Sequence, residues 1–266
     1  MSVAVSGLSL SIGGKQLLKD ISFTAPAGQV TGLIGPNGAG KSTLLAALAG
    51  DLDYQGTARL AGVDPAATSA AELARVRAVM LQDVSVSFAF AARDVVAMGR
   101  RPWAKESTPE EDQRHVARAM AAMEVEHLAD RDVMTLSGGE RARVALARVL
   151  AQQTPVIFLD EPTAALDISH QEQAMCMVRD VAAAGAAVVV VLHDLNLAAA
   201  YCDHIVCLKN GQVAAAGSID QVYTSAILTQ VYDWPIHVLR AGQVPGWDED
   251  VLHVVPAHRR PAAAAK

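Results

Sequence analysis

Along the first third of the chain, apolar residues come in short runs divided by turn-forming residues. Residues 3–10 alternate apolar and polar side chains before Gly13 and Gly14, the period-two pattern of a half-buried strand. A second strand is predicted at 21–25, closed by the turn Pro26, Ala27, Gly28, and a third at 30–34 is apolar throughout. Residues 42–49 (STLLAALA) have the composition of a helix that stops at Gly50. Residues 57–60 and 78–81 read as further strands.

From about 91 to 151 the pattern turns helical. Thr108 offers a cap, Pro109 suits the first helical position, and Glu110 and Glu111 favour the positive end of a helix. Val116, Met120 and Met123 then follow at spacings of four and three, one apolar face. Alternation of strand and helix resumes with a strand at 156–159, a helix near 169–184, a strand at 187–192, another helix, and strands at 205–208 and 213–216. The expectation is an α/β core with a helical subdomain inserted at about 91–151. The most apolar stretch, residues 181–192, is too short for a membrane-crossing helix, which takes about 20 residues. Its valines read instead as a buried parallel strand. The start of the chain lacks the charged residues and apolar core of a signal peptide, which predicts a cytoplasmic protein.

Composition narrows this only a little. The 266 residues are 52% hydrophobic, enough for one large core. With 22 Lys+Arg against 28 Asp+Glu the formal charge is −6, which weighs against nucleic acid as a partner. Three cysteines exclude a disulfide framework and suit a reducing compartment. Cys202 and Cys207 lack zinc-ligand spacing and are expected to be buried and inert, while Arg100 and Arg101 read as a surface pair.

Chemistry enters at residues 35–43. Gly35, Pro36, Asn37, Gly38, Ala39, Gly40, Lys41 and Ser42 fit G-x-x-x-x-G-K-[ST], with Thr43 next, between an apolar strand and a helix. Glycines let the backbone curl so that successive N–H groups face a phosphate, and the following helix adds its positive end. Lys41 would reach the β- and γ-phosphates, and the Ser42 hydroxyl would ligate Mg²⁺. The apolar run 156–159 ends in Asp160 and Glu161. An acid at the carboxyl end of a buried strand lies beside such a loop, so Asp160 is a second Mg²⁺ candidate and Glu161 a general base for water. Leu136, Ser137, Gly138, Gly139 and Glu140 open another helix; taken alone they are simply a flexible helix start.

In order, residues 35–43, Gln82, 136–140, Asp160 with Glu161, 164–167 and His193 resemble the ATP-binding subunits of ABC transporters, over about residues 3–217. That resemblance implies a P-loop NTPase (RecA-like) α/β core with an antiparallel β portion and the inserted helical subdomain. Residues 1–240 are expected to form the ATPase domain and 241–266 a C-terminal extension with a frayed end. The resemblance implies ATP and Mg²⁺ as cofactors, and two copies of the chain enclosing two ATP molecules. Ser137, Gly138 and Gly139 of one copy would then meet the phosphate on the other's loop. Gln82 matches a switch glutamine sensing Mg²⁺ and the attacking water, His193 a switch histidine at the γ-phosphate, and Asp167 a link between the two sites. One departure stands out: the family's adenine-stacking aromatic falls at Ile12, which predicts weak discrimination between ATP and GTP.

Residues 87–90, 94–100 and 193–199 resemble the ATPases of iron-chelate, haem and cobalamin importers, haem importers being the nearest likeness. The expected task is an ATP-driven importer motor on the cytoplasmic face of the membrane. Its expected partners are two copies of a polytopic permease and, indirectly, a substrate-binding protein, with no nucleic acid. Residues 84–103 would dock the permease, with exposed Phe88, Phe90 or Trp103 as contacts; the alternative is that Phe88 and Phe90 fill the subdomain core. A non-transport ABC ATPase of the cytosol is the competing class.

Overall fold

The structure, a computed structural model, describes residues 2–81, 89–240 and 252–257. Gln82 and Phe88, both singled out by the sequence, lie outside the described residues.

Strands β1 (Val3–Ile12) and β2 (Lys15–Ala25) form an antiparallel hairpin across Gly13 and Gly14. Both glycines have positive φ (58° and 79°), which a two-residue hairpin turn requires. β1 also pairs with β4 (Gln55–Leu60), giving a three-stranded sheet of order β2-β1-β4. The strands expected at 21–25 and 57–60 are the C-terminal parts of longer ones.

Four strands lie parallel to β3 (Val30–Ile34) in the main sheet: β5 (Arg77–Met80), β6 (Val156–Asp160), β7 (Ala187–Val191) and β8 (His204–Lys209). β9 (Gln212–Ser218) closes one edge antiparallel to β8, and the order is β5-β6-β7-β3-β8-β9. Helix α1 (Lys41–Ala49) follows β3, and α2 (Ala70–Val76) precedes β5.

The inserted helical region holds α3 (Ala92–Ala97), α4 (Pro109–Ala122) and α5 (Gly138–Gln152), joined by 3₁₀ turns. The α4 cap is reciprocal: Glu111 N–H donates to Thr108 Oγ1 (3.2 Å), and Thr108 N–H donates to Glu111 Oε2 (2.9 Å). After β6 come α6 (Ile168–Ala183), α7 (Leu195–Tyr201), α8 (Ile219–Val222) and α9 (Ser225–Tyr232). A small hairpin of β10 (Ile236–Arg240) and β11 (Leu252–Pro256) packs beside α7, with Asn196 bonded to Val254 at both its backbone groups.

The continuous apolar runs have a direct cause: β3, β6 and β7 are buried on both faces. Leu33, Val156, Phe158, Val189 and Val191 point to one side, where they meet α1 and the β2-β1-β4 sheet. Ile157, Leu159, Val188 and Val190 point to the other, among Met123, Leu146, Val149 and Met175 of the helices. Truncating the fully buried Phe158 to Ala would cost about 3–5 kcal/mol.

Two expectations for the helical region change. Arg100 is buried rather than a surface residue: its guanidinium donates to Asp112 Oδ1 (2.7 Å) and to the Ala151 carbonyl (2.9 Å). Trp103 donates from Nε1 to the Gln152 carbonyl (2.7 Å), so the ring is tied to α5. The backbone crosses α5 so closely that a Cβ on Gly99 would stand 2.3 Å from the Arg148 carbonyl oxygen. Phe90, by contrast, is exposed. Among the described residues no helix is long and apolar enough to cross a membrane. Cys202 and Cys207 are buried as expected, and burial pushes the Cys207 thiol up to about 12.

Candidate functional site

The sheet fixes β3, which leads to the site, at both of its ends. At its start, Val30 N–H donates to Asp203 Oδ2 (2.8 Å), and Asp203 is itself held by Arg179 (2.7 Å). At its end Gly35 has φ 144°, and a Cβ there would lie 2.1 Å from the Leu208 carbonyl oxygen, so only glycine fits. The loop then curls through Gly38 (φ 76°) and Gly40 (φ 100°). The tight β8–β9 turn props it from below, with Gly211 N–H donating to the Ala39 carbonyl (3.1 Å).

Lys41 folds back over this loop, its Nζ donating to the carbonyls of Gly35 (2.8 Å) and Pro36 (3.1 Å). Gly40, which caps α1, supplies no side-chain bond, and the first turn contains no acid. The N–H groups that open α1 are therefore left for an anion. Asn37, Gly38, Gly40, Lys41, Ser42 and Thr43 line a cleft of about 740 Å³, with Glu161 and His193 on its other wall and Lys15 and Leu17 of β2 at its side.

Asp160 ends β6, with only 2% of its surface exposed. Burial pushes its carboxyl above the usual carboxylate range; a bond from Ser42 and the charge of Lys41 pull the other way, and Glu161 adds to the rise. Burial likewise lowers Lys41, against the opposing pull of Glu161 and Asp160. Asp160 Oδ1 is buried without a hydrogen-bond partner among the described residues. A buried carboxylate with one oxygen unspent, next to a hydroxyl, is the donor set of a hard divalent cation. Ser42 and Asp160 thus fit Mg²⁺.

Glu161 has a left-handed backbone (φ 51°) and is anchored by its N–H to the Val191 carbonyl (3.2 Å). For a residue with a Cβ that conformation costs on the order of 1–2 kcal/mol. It turns the carboxylate towards the end of β7, where Oε1 meets His193 Nε2. The sequence expected both residues at the site; the structure puts them in direct contact.

Ser137 opens α5 with a reciprocal cap: Ser137 N–H donates to Glu140 Oε2 (2.7 Å), and Glu140 N–H donates to Ser137 Oγ (3.3 Å). Gly138 and Gly139 lie against the 164–167 segment; a Cβ on Gly139 would be 3.2 Å from the Ala165 carbonyl oxygen. Asp167 caps α6 by accepting from His170 N–H (3.0 Å) and bonding His170 Nδ1 (2.7 Å), which holds its carboxyl below the usual range. None of Ser137, Gly138 or Gly139 lines the cleft of its own chain among the described residues.

With this geometry in hand, residues 18–164 match the family model of the ABC transporter. The chain belongs to that family. It is 50% identical over 259 residues to the hemin import ATP-binding protein of Streptomyces coelicolor, covering 97% of this chain and 90% of that one. Among solved structures, an ABC transporter assigned to the metal-chelate type, in an inward-facing conformation, superposes with TM-score 0.81 at 26% identity. The match covers 97% of this chain and 98% of that one. A dimeric bacterial ABC transporter cassette superposes with TM-score 0.73 at 26% identity, covering 82% and 98%. As a member of the family the chain is an ATP-binding subunit and an ATPase coupled to transport, and the expected P-loop α/β fold is the one observed.

Three contributors to the cleft went unread in the sequence. Lys15 and Leu17 lie on a strand whose polar half showed no alternation. Gly211 follows Asn210, and that dipeptide is itself a turn signal. Nothing local says that this turn supports the nucleotide loop. Ile12, at the family's aromatic position, is 51% exposed at the end of β1, paired across the hairpin with Lys15.

Proposed function

We propose that this ATPase drives the uptake of haem through a separate polytopic permease, to which it binds peripherally on the cytoplasmic side of the membrane. The observation that carries the cargo is the 50% identity, over 97% of the chain, to a protein named for hemin import. In this reading residues 1–240 are the ATPase domain and residues 241–266 an extension, within which Leu252–Pro256 pairs with β10 as β11.

Hydrolysis follows from the cleft. The amides of residues 38–43 and the Lys41 ammonium hold the β- and γ-phosphates. Ser42 and Asp160, with Gln82, would hold Mg²⁺, which would offset phosphate charge when bound. Glu161 orients a water and accepts its proton as the water oxygen bonds to the γ-phosphorus, the bridging oxygen leaving with ADP. Contact with His193 holds Glu161 in place and sets the imidazole at the γ-phosphate. Ser137, Gly138 and Gly139, outside their own cleft, complete the cleft of a second copy, and Asp167 lies between the two sites. The kinship with a dimeric cassette supports that sandwich.

The test is ATP hydrolysis by the purified chain, alone and with its co-purifying permease in lipid, with haem-loaded binding protein added last. Stimulation by permease and haem is the expected result. Stimulation instead by a ferric siderophore or cobalamin would move the cargo, and turnover indifferent to any membrane partner would favour the non-transport class.

A further inference from the structure

Gly35 begins the phosphate loop, yet its amide does not face the cleft; the lining starts at Asn37. That N–H donates instead to the hydroxyl of Tyr232, at 3.1 Å, the last residue of α9 and 197 positions away. The end of α9 is fixed in turn from β8. Lys209 Nζ donates to the Gln230 carbonyl (2.5 Å) and pairs with Asp233 Oδ1 (2.7 Å), on either side of Tyr232. Lys209 adjoins Leu208, whose carbonyl oxygen is the atom that bars any side chain at Gly35. Helix end, strand and loop are therefore a single braced corner.

We infer that Tyr232 is a positioning residue for ATP binding: its hydroxyl takes up the first amide of the phosphate loop and so keeps the loop in its binding shape. The residue lies well beyond 18–164, the stretch that matches the family model. Gly35 is gripped on both sides, since its N–H is spent on Tyr232 and its carbonyl accepts from Lys41. The lysine that meets the phosphates thus leans on the residue that the tyrosine holds. Burial keeps the phenol protonated far above neutral pH, so its lone pairs stay available as acceptors without adding a negative charge beside the phosphates.

Without the hydroxyl, the Gly35 amide would have to find water, and loop conformers that turn it outwards would gain population. Binding competence then falls with the fraction of loops still in the cradle shape, and apparent affinity falls by the same factor. Glu161 and His193 sit on other strand ends, so the chemical step in the loaded site is unaffected. A defect of this kind appears in KM and spares kcat, whereas general destabilisation removes active enzyme and lowers kcat.

This inference rests on the reading that residues 35–43 hold the phosphates, so the experiment includes Lys41→Ala. Steady-state ATP hydrolysis is measured for wild type, Lys41→Ala and Tyr232→Phe, all full-length. Expected are loss of turnover in Lys41→Ala and, in Tyr232→Phe, a KM for ATP raised about fivefold with kcat within twofold of wild type. Wild-type turnover by Lys41→Ala would overturn the loop assignment and the inference with it. An inactive Lys41→Ala beside an unchanged KM in Tyr232→Phe would overturn the role of Tyr232 alone. Should Tyr232→Phe fail to fold, hydrogen exchange of the Gly35 amide in nucleotide-free wild type decides. Slow exchange supports the bond, and exchange at the rate of an open loop overturns it.

Discussion

Ser137→Ala separates two duties that one side chain holds at the start of α5. As a cap, Ser137 Oγ accepts from Glu140 N–H at a long 3.3 Å, while the shorter bond of the pair runs from the Ser137 backbone N–H to Glu140 Oε2 at 2.7 Å. Alanine keeps the backbone half. The stability lost should therefore lie near the low end for a capping substitution, about 0.5–1 kcal/mol. In a chain of this size that corresponds to a fall in Tm of roughly 1–4 °C. The second duty is the proposed bond from the hydroxyl to the γ-phosphate on the partner copy. Bonds to charged groups are worth about 1.5–3 kcal/mol, which is roughly a 10- to 150-fold loss of turnover. Asn caps helices as well as Ser does, so Ser137→Asn should recover the Tm without recovering the rate. The assay is ATP hydrolysis across protein concentrations alongside thermal unfolding. Recovery of both by Ser137→Asn, or turnover within twofold in Ser137→Ala, would refute the nucleotide duty and leave Ser137 a cap.

Glu161→Gln should bind ATP and dimerise while hardly turning it over, because the amide cannot accept the proton of water; a monomer on sizing with ATP and Mg²⁺ would count against the sandwich. Asp160→Asn should lose Mg²⁺-dependent turnover yet be more stable than wild type at neutral pH, since the amide carries no charge to bury. The folded protein binds the Asp160 proton more tightly than the unfolded chain does. Wild-type stability therefore falls as pH rises from the ordinary carboxylate range to the raised value and stays lower above it. Thermal unfolding against pH should show the Asp160 contribution as a difference: the variant's stability advantage over wild type widens as pH rises through that range. With exposed Ile12 at the adenine position and Lys15 beside it, GTP should be hydrolysed with a kcat/KM within about tenfold of ATP, since stacking is worth about 1–3 kcal/mol; a strong ATP preference would sink this.

Legibility followed burial. β3, β6 and β7 were readable because both faces of each are covered, so every residue had to be apolar. The loop at 35–43 was readable because its chemistry fixes residue types at fixed spacing. α2 was missed because only Leu73 is fully buried along it, with Val76 as its one other apolar core contact, too few positions to set a helical period. α9 and β10 were missed for the opposite reason: SAILTQVY is apolar enough to suit either strand or helix. Arg100 was misread because nothing local shows that a guanidinium will find Asp112 and the end of α5. The contact between Glu161 and His193 needed the adjacency of β6 and β7, which a linear sequence does not contain.

The sheet order carries a consequence for how the molecule is made. β3, which launches the nucleotide loop, has β7 and β8 as its two neighbours, so its first pairing partner begins at Ala187 and its second at His204. While the ribosome is emitting the insertion, the strand most central to ATP binding is an apolar ribbon with both edges open. Such edges are templates for aggregation. Gly35 waits longer still, for Leu208 and then for the end of α9. A nascent chain therefore cannot spend ATP until nearly the whole protein has left the ribosome, and a chain stalled before residue 204 is a substrate for chaperones rather than a partial enzyme.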